Sequence, residues 1–236
     1  MNKPIPILMY HNVSENKKDK NSLYYKDFYK QIKYLTKIGY KSLNLKNLSE
    51  EKYNKKIVIT FDDGYENIYK IAMPILKKFN QQATCFIVKN QIDGFNQWDS
   101  KSDDFKKTKL MNLSQIQNWN SNGFEIGSHT LDHLNLTKIS YENKNKQINE
   151  PIDYFKNKLN IAIESFAYPF GAYDDDCINL LKKNYKYAVT TKPSRYIKNK
   201  FSNYEIPRIS IGAKVTIFKF LLKILTKYED FKYKKY

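Results

Sequence analysis

Short apolar runs recur along this chain, separated by longer stretches in which apolar residues return every three or four positions. The runs are Ile5–Tyr10, Ile57–Phe61, Ala83–Val88, Phe124–Gly127, Ser165–Tyr168, Tyr187–Thr190 and Ile206–Ile211. Most lack polar alternation, which is the pattern of strands covered on both faces. Between them, Tyr25–Ile38 places Phe28, Ile32, Leu35 and Ile38 on one helical face. Ile68–Phe79, Ser114–Asn122, Tyr141–Leu159 and Asp174–Asn184 also read as helices. Strand–helix alternation with about seven repeats predicts an α/β fold around a parallel sheet or barrel. Asn90–Thr108 breaks the rhythm: it is polar, contains Gly94 and Trp98, and predicts a long loop over one barrel end. Loops of that length often carry function. No internal repeat or linker divides the 236 residues, so one domain over residues 1–236 is expected.

Charge narrows the choice of partners. The formal net charge is +17, yet only Arg195 and Arg208 of the 41 basic residues are arginines, and the lysines spread along the whole length. A nucleic-acid binder would concentrate its charge and use arginine forks on phosphates. No nucleic-acid partner is therefore expected; the excess suits solubility, with attraction to an anionic glycan, lipid or polynucleotide as the alternative. Cys85 and Cys177 make no Cys-x-x-Cys pair and no disulfide framework. After Met1-Asn2-Lys3 the apolar stretch is short and split by Pro6, unlike a signal peptide. No run approaches the roughly 18 apolar residues of a membrane span, so a cytoplasmic location is expected. The stretch Val215–Tyr228 sets Ile217, Phe218, Leu221, Leu222 and Leu225 against Lys219, Lys223 and Lys227. It reads either as a last helix packed on the barrel or as a helix resting on anionic lipid.

Candidate chemistry falls at the ends of three of the apolar runs. Two of the three histidines form His129-Thr-Leu-Asp-His133, directly after Phe124–Gly127. Side chains at i and i+4 can converge on one ion if the second begins a helical turn, and imidazole suits zinc, iron, cobalt or nickel. The run Ile57–Phe61 ends in Asp62-Asp63-Gly64, which places two carboxylates at the strand's C-terminal rim, where α/β barrels build their sites. Successive side chains leave a strand on opposite sides, so one acid can bind metal while the other takes a proton. The same tripeptide also reads as a turn capping the next helix. A third run ends in Tyr168-Pro169-Phe170-Gly171, a turn that can aim a backbone N–H at an oxyanion or can simply join strand to helix.

Together, Thr60-Phe61-Asp62-Asp63-Gly64, His129-Thr130-x-x-His133 and Tyr168-Pro169-Phe170-Gly171 resemble the polysaccharide deacetylase family, also called carbohydrate esterase family 4 or the NodB-homology domain. The resemblance covers nearly the whole chain. It implies a distorted (β/α) barrel of about seven parallel strands. It also implies a metal-dependent hydrolase that removes N-acetyl groups from an N-acetylhexosamine-containing glycan or glycan intermediate. Asp62 would be the general base. Asp63, His129 and His133 would hold a divalent ion, zinc first, with cobalt, nickel or iron(II) as alternatives. The Phe170 N–H would help to bind the oxyanion. Other readings are an O-acetyl esterase, or a degenerate module that grips a glycan or nucleic acid without cleaving it.

The chain departs from the family pattern in two places. No histidine follows His133 to act as the late general acid of many members. The opening Leu8-Met9-Tyr10-His11-Asn12-Val13 is instead similar to the branch containing poly-N-acetylglucosamine deacetylases, which implies that His11 fills that role. Ala167 stands where many members carry an arginine that orients the base, and Arg208, in Ile206-Pro207-Arg208-Ile209, reads either as its substitute from the last strand or as a surface arginine.

Overall fold

The computed structural model describes residues 3–17, 22–103 and 105–233. Its strands are β1 Ile7–Tyr10, β2 Val13–Ser14, β3 Leu23–Tyr24, β4 Lys41–Leu43, β5 Lys56–Phe61, β6 Thr84–Ile87, β7 Glu125–Ser128, β8 Ser165–Ala167, β9 Tyr187–Val189 and β10 Ile209–Ser210. Its α-helices are α1 Tyr25–Lys37, α2 Met73–Lys78, α3 Leu113–Ser121, α4 Tyr141–Leu159, α5 Asp175–Asn184, α6 Ile217–Leu225 and α7 Tyr228–Tyr233. Seven strands run parallel in the order β10–β1–β5–β6–β7–β8–β9, and β4 joins the first half of β5. The segment 206–210 serves both ends of that series. Ile206 bridges Val189 on one side, and Ile209–Ser210 pair with Leu8–Met9 on the other. The sheet thereby curls into a distorted barrel.

Strand parity sorts the side chains into two layers. Leu8, Tyr10, Ile57, Ile59, Phe61, Cys85 and Ile126 pack outward against Phe28, Ile32 and Leu35 of α1, Trp119 of α3 and Ile148 and Phe155 of α4. Ile7, Val58, Phe86, Ala167, Val189 and Ile206 fill the interior. Burial on both faces explains why these strands read as continuous apolar runs. The lower interior is polar but satisfied: Glu125 accepts from Ser165 Oγ at 2.6 Å, Thr84 Oγ1 at 2.7 Å and Lys46 N–H at 3.0 Å. Burial raises the pKa of that carboxyl despite those donors.

Helix ends follow local chemistry. Asn112 and Gln115 form a capping box on α3, and Ser140, Asp174 and Thr216 cap α4, α5 and α6. Asn160 closes α4 in the left-handed conformation, φ 54°.

The structure differs from the sequence expectations at two elements. The helix predicted over Ile68–Phe79 begins with a π-helical stretch, Ile68–Ala72, before α2. Pro74 supplies no N–H and crowds the carbonyl four residues back, so the regular ladder cannot run through it. The strand predicted over Ile206–Ile211 is shared between two neighbours, and only Ile209–Ser210 is regular. Pro207 breaks the ladder at the changeover.

Gly127 lies in β7 with no room for a side chain: a Cβ there would sit 2.5 Å from the Phe86 ring and 2.9 Å from the Ser165 carbonyl. Overpacking of this kind costs about 1–3 kcal/mol. Gly127→Ala should lose stability in that range on urea unfolding; an unchanged midpoint would mean that the interior is loosely filled.

Candidate active site and metal centre

Every candidate side chain except Arg208 leaves the C-terminal rim of the barrel. His11 follows β1, Asp62 and Asp63 follow β5, His129 follows β7, and Phe170 lies just beyond β8. The rims align because Tyr10 pairs with Phe61, Ile87 with Ser128 and Ala167 with Val189. All four strand ends open on a cavity of about 490 Å³ that His11, Asp62, Asp63, His129, His133 and Phe170 share.

Asp62 extends β5, its N–H donating to Tyr10 O at 3.0 Å, and so keeps the inward parity of Val58 and Thr60. Inside the barrel it meets Arg208, which is fully buried. Two guanidinium nitrogens of Arg208 donate to the two carboxylate oxygens of Asp62, at 2.6 and 2.7 Å. The same guanidinium donates to Thr60 Oγ1 at 3.0 Å and to Thr190 O at 2.9 Å. The surface alternative for Arg208 is therefore excluded. Burial pushes the Asp62 carboxyl up, but the charge and hydrogen bonds of Arg208, helped by His129 and His11, bring it below the usual carboxylate range.

Asp63 turns the other way because its backbone is left-handed, φ 72°, as is that of Gly64, φ 73°. Its Oδ1 lies 3.4 Å from His129 Nε2 and 3.4 Å from His133 Nε2. The three candidate donor atoms lie within 4.8 Å of one another, and all three residues are buried. His129 Nδ1 is 2.7 Å from Ala167 O. That contact places the proton on Nδ1 and leaves the Nε2 lone pair facing Asp63. Asp63 Oδ1 has no hydrogen-bond partner although it is buried. A buried carboxylate oxygen without a hydrogen-bond donor, facing two imidazole nitrogens, offers with them three ligand atoms that suit a divalent ion with open positions. Burial raises the Asp63 carboxyl, but the two imidazoles hold it well below its ordinary value. Burial lowers His129, yet Asp63, Asp62 and the Ala167 carbonyl leave its pKa raised overall. His133 ends lowered, burial and the charge of His129 outweighing the pull of Asp63. An ion bound to Nε2 competes with these protons.

The two imidazoles do not converge by a helical turn, as the i, i+4 spacing suggested. Residues 130–132 form a tight turn between them, with left-handed backbone at Thr130, φ 70°, and His133, φ 57°. Thr130 Oγ1 accepts from His133 N–H at 2.9 Å. Gln147 of α4 receives the N–H groups of Leu131 and Asp132 at 3.1 and 3.0 Å and donates to Asp132 Oδ2 at 2.6 Å. The turn is thus clamped from a helix that sequence reading assigned only to packing.

Phe170 is also left-handed, φ 59°. The turn satisfies Gly171 N–H on Tyr168 O at 2.9 Å and Ala172 N–H on Pro169 O at 3.1 Å. A Cβ on Gly171 would approach Thr191 Oγ1 to 2.1 Å, which fixes glycine there. The exposed Phe170 ring meets the His133 imidazole edge-on at 4.7 Å. From the predicted loop, Asn96, Trp98, Asp99, Ser102, Phe105 and Thr108 line the cavity, and Trp98 stacks on His133 with centroids 4.5 Å apart and 23° between planes. Tyr65 also faces Asp63, whose charge adds to burial in raising the phenol. The sequence placed Trp98 only in a loop over the barrel end, and its stack on His133, which joins distant stretches of chain, left no local pattern.

Residues 49–189 match the family model described as Polysaccharide deacetylase. The chain belongs to the polysaccharide deacetylase family. Within that family it is 32% identical over 214 residues to the poly-beta-1,6-N-acetyl-D-glucosamine N-deacetylase of Staphylococcus aureus, covering 84% of this chain and 71% of that one. Among solved family structures it superposes on the Streptococcus pyogenes deacetylase PplD in complex with acetate with a TM-score of 0.81 at 25% identity, covering 95% of this chain and 99% of that one. The polysaccharide deacetylase BC0361 from Bacillus cereus gives the same TM-score, 0.81, at 26% identity over 94% of this chain and 69% of its own.

The Arg208–Asp62 pair sets a stability experiment. Removing one partner of a buried ion pair costs about 3–5 kcal/mol because the other charge is left uncompensated. Arg208→Met should be destabilised by that amount at neutral pH. The lowered Asp62 pKa makes the wild-type contribution full above the unfolded carboxylate value, near pH 3.9, and lost as pH falls through the folded value. In Arg208→Met burial still raises the carboxyl while its largest opposing charge is gone, so its penalty should shrink on acidification. Urea unfolding at several pH values checks this; a deficit independent of pH would contradict it.

Proposed function

We propose that this protein is a metal-dependent N-deacetylase acting on N-acetylhexosamine units of a glycan or glycan intermediate, with Asp63, His129 and His133 as ligands and zinc as the ion. One observation carries the reading: of two adjacent carboxylates, one faces the imidazole pair and the other is held away from it by Arg208. A structural metal site would have no use for the second acid. A glycan substrate is supported by the name of the Staphylococcus aureus relative and by Trp98 and Phe170 at the cavity mouth, whose ring faces suit a sugar.

When bound, the ion supplies Lewis acidity that polarises the acetamide carbonyl and makes water acidic enough to attack near neutral pH. Asp62 is the base that takes the proton from the attacking water. Arg208 makes it a weaker base than a free carboxylate, but keeps it ionised and fixes both oxygens in direction. The Phe170 N–H, in a turn whose next two N–H groups are already used, is the donor assigned to the developing oxyanion. His11, exposed at the same cavity, gives its proton to the departing amine, which leaves poorly without one. Positioned acids and bases are each worth about 10²–10⁴ in rate.

Acetate release from a panel of N-acetylhexosamine oligomers, by metal-free protein and by protein reloaded with zinc, cobalt, nickel or iron(II), tests the assignment. Activity should require the ion, and zinc should restore it. Release from O-acetyl but not N-acetyl substrates would reassign the chain as an esterase. Asp62→Asn should retain metal and lose about 10²–10⁴ in turnover. His133→Ala should lose metal and turnover together, whereas His11→Ala should keep the ion and slow the chemical step. Loss of metal from Asp62→Asn would overturn the division of labour between the two acids.

A further inference from the structure

The last helices carry an apolar surface that the barrel does not use. On α6, Phe220, Lys223 and Ile224 are buried, and Lys223 Nζ reaches Ser210 O at 3.1 Å and Glu229 Oε1 at 2.6 Å. This side anchors the helix. On the side turned away from the barrel, Ile217 is 39% exposed, Phe218 77% and Leu225 47%, with Leu222 partly buried beside them, while Leu221 packs on the barrel core. At 100° per residue these four side chains span an arc of about 140°. Lys219 alone occupies the narrow arc that remains between this face and the buried one. Together with the buried Phe220 and Ile224, the apolar side chains span about 200° of the helix, wider than the single face that packs on the barrel, and a face of that width is ordinarily covered.

The charges around this face favour one kind of cover. Lys214, Lys219 and Lys227 are exposed and have no ion-pair partner among the described residues. The two acids of the following helix are already matched: Glu229 by Lys223 and Lys232, and Asp230 by Arg195. The rim of the apolar face is therefore cationic without compensation, on a chain whose formal charge is +17. A second copy of the chain would bring the same cations against it and be repelled. A layer of anionic headgroups over hydrocarbon presents the complement of both features.

We infer that α6 docks this protein onto an anionic lipid surface, with Phe218, Leu222 and Leu225 entering the apolar layer and Lys214, Lys219 and Lys227 meeting the headgroups. Docking is parallel to the surface: α6 is nine residues long, about 13 Å, and no helix among the described residues is long and apolar enough to cross a membrane. The inference is independent of the catalytic reading, since none of these residues lines the cavity.

Flotation of the full chain with vesicles tests it. The protein should float with vesicles of phosphatidylcholine mixed with phosphatidylglycerol, less so in high salt, and should not float with phosphatidylcholine alone. Phe218→Glu combined with Leu225→Glu should weaken binding by at least about tenfold. Both side chains are exposed, so thermal unfolding and acetate release should not change. Lys219→Gln with Lys227→Gln should also weaken binding, through the headgroup contribution. Failure to float with either vesicle would overturn the inference, as would apolar variants that bind like the parent. Concentration-dependent dimers in sedimentation that Phe218→Glu abolishes would assign the face to a second copy instead.

Discussion

The buried pairing of Arg208 with Asp62 is the contact on which the rest of the site depends. It can form only because the segment 206–210 closes the barrel between β9 and β1, bringing Arg208 inward opposite the end of β5. Buried ion pairs add little net stability relative to apolar packing, because desolvation offsets the attraction. Their value here is directional. With both oxygens of Asp62 engaged, its neighbour Asp63 is left to face the imidazoles. Two carboxylates adjacent in sequence thus acquire different environments, one matched by a guanidinium and the other suited to a divalent cation.

Backbone strain is concentrated around the same cavity. Eight non-glycine residues among those described have positive φ, and four of them are Asp63, Thr130, His133 and Phe170. The other four are Asn80, Asp93, Asn160 and Asn199, residue types that tolerate this region. Thr130 is β-branched, and His133 and Phe170 are bulky, so their conformations persist only where surrounding structure enforces them. The enforcing contacts are local and specific: Gln147 on the 130–132 turn, Thr191 against Gly171, and Ile87 beneath Gly64. The rim is rigid where chemistry requires fixed geometry, and the barrel's apolar layers bear that strain.

The barrel strands were legible because burial on two faces leaves uninterrupted apolar runs. β4 was not, since Lys41-Ser42-Leu43 is too short and too polar to stand out from a loop. The site was legible at Asp62, Asp63, His129 and His133 because strand ends and residue types coincide there. Their mode of convergence was not. A spacing of four suggested a helical turn, whereas left-handed backbone at Thr130 and His133 brings the rings together. Arg208 drew notice only because Ala167 lacks the arginine expected from family resemblance. Interior parity then explains how a residue from the last strand reaches the same space. Trp98 was legible only as part of a long loop over the barrel end, and Gln147 not at all, because a stack or clamp between distant segments has no local period.

The most direct measurement is anomalous diffraction at the zinc edge from crystals of the zinc-loaded protein. The account predicts one strong peak about 2.0–2.2 Å from Asp63 Oδ1, His129 Nε2 and His133 Nε2, with both oxygens of Asp62 still on Arg208. A peak bridging Asp62 and Asp63, or no peak at this cavity under saturating zinc, would contradict it.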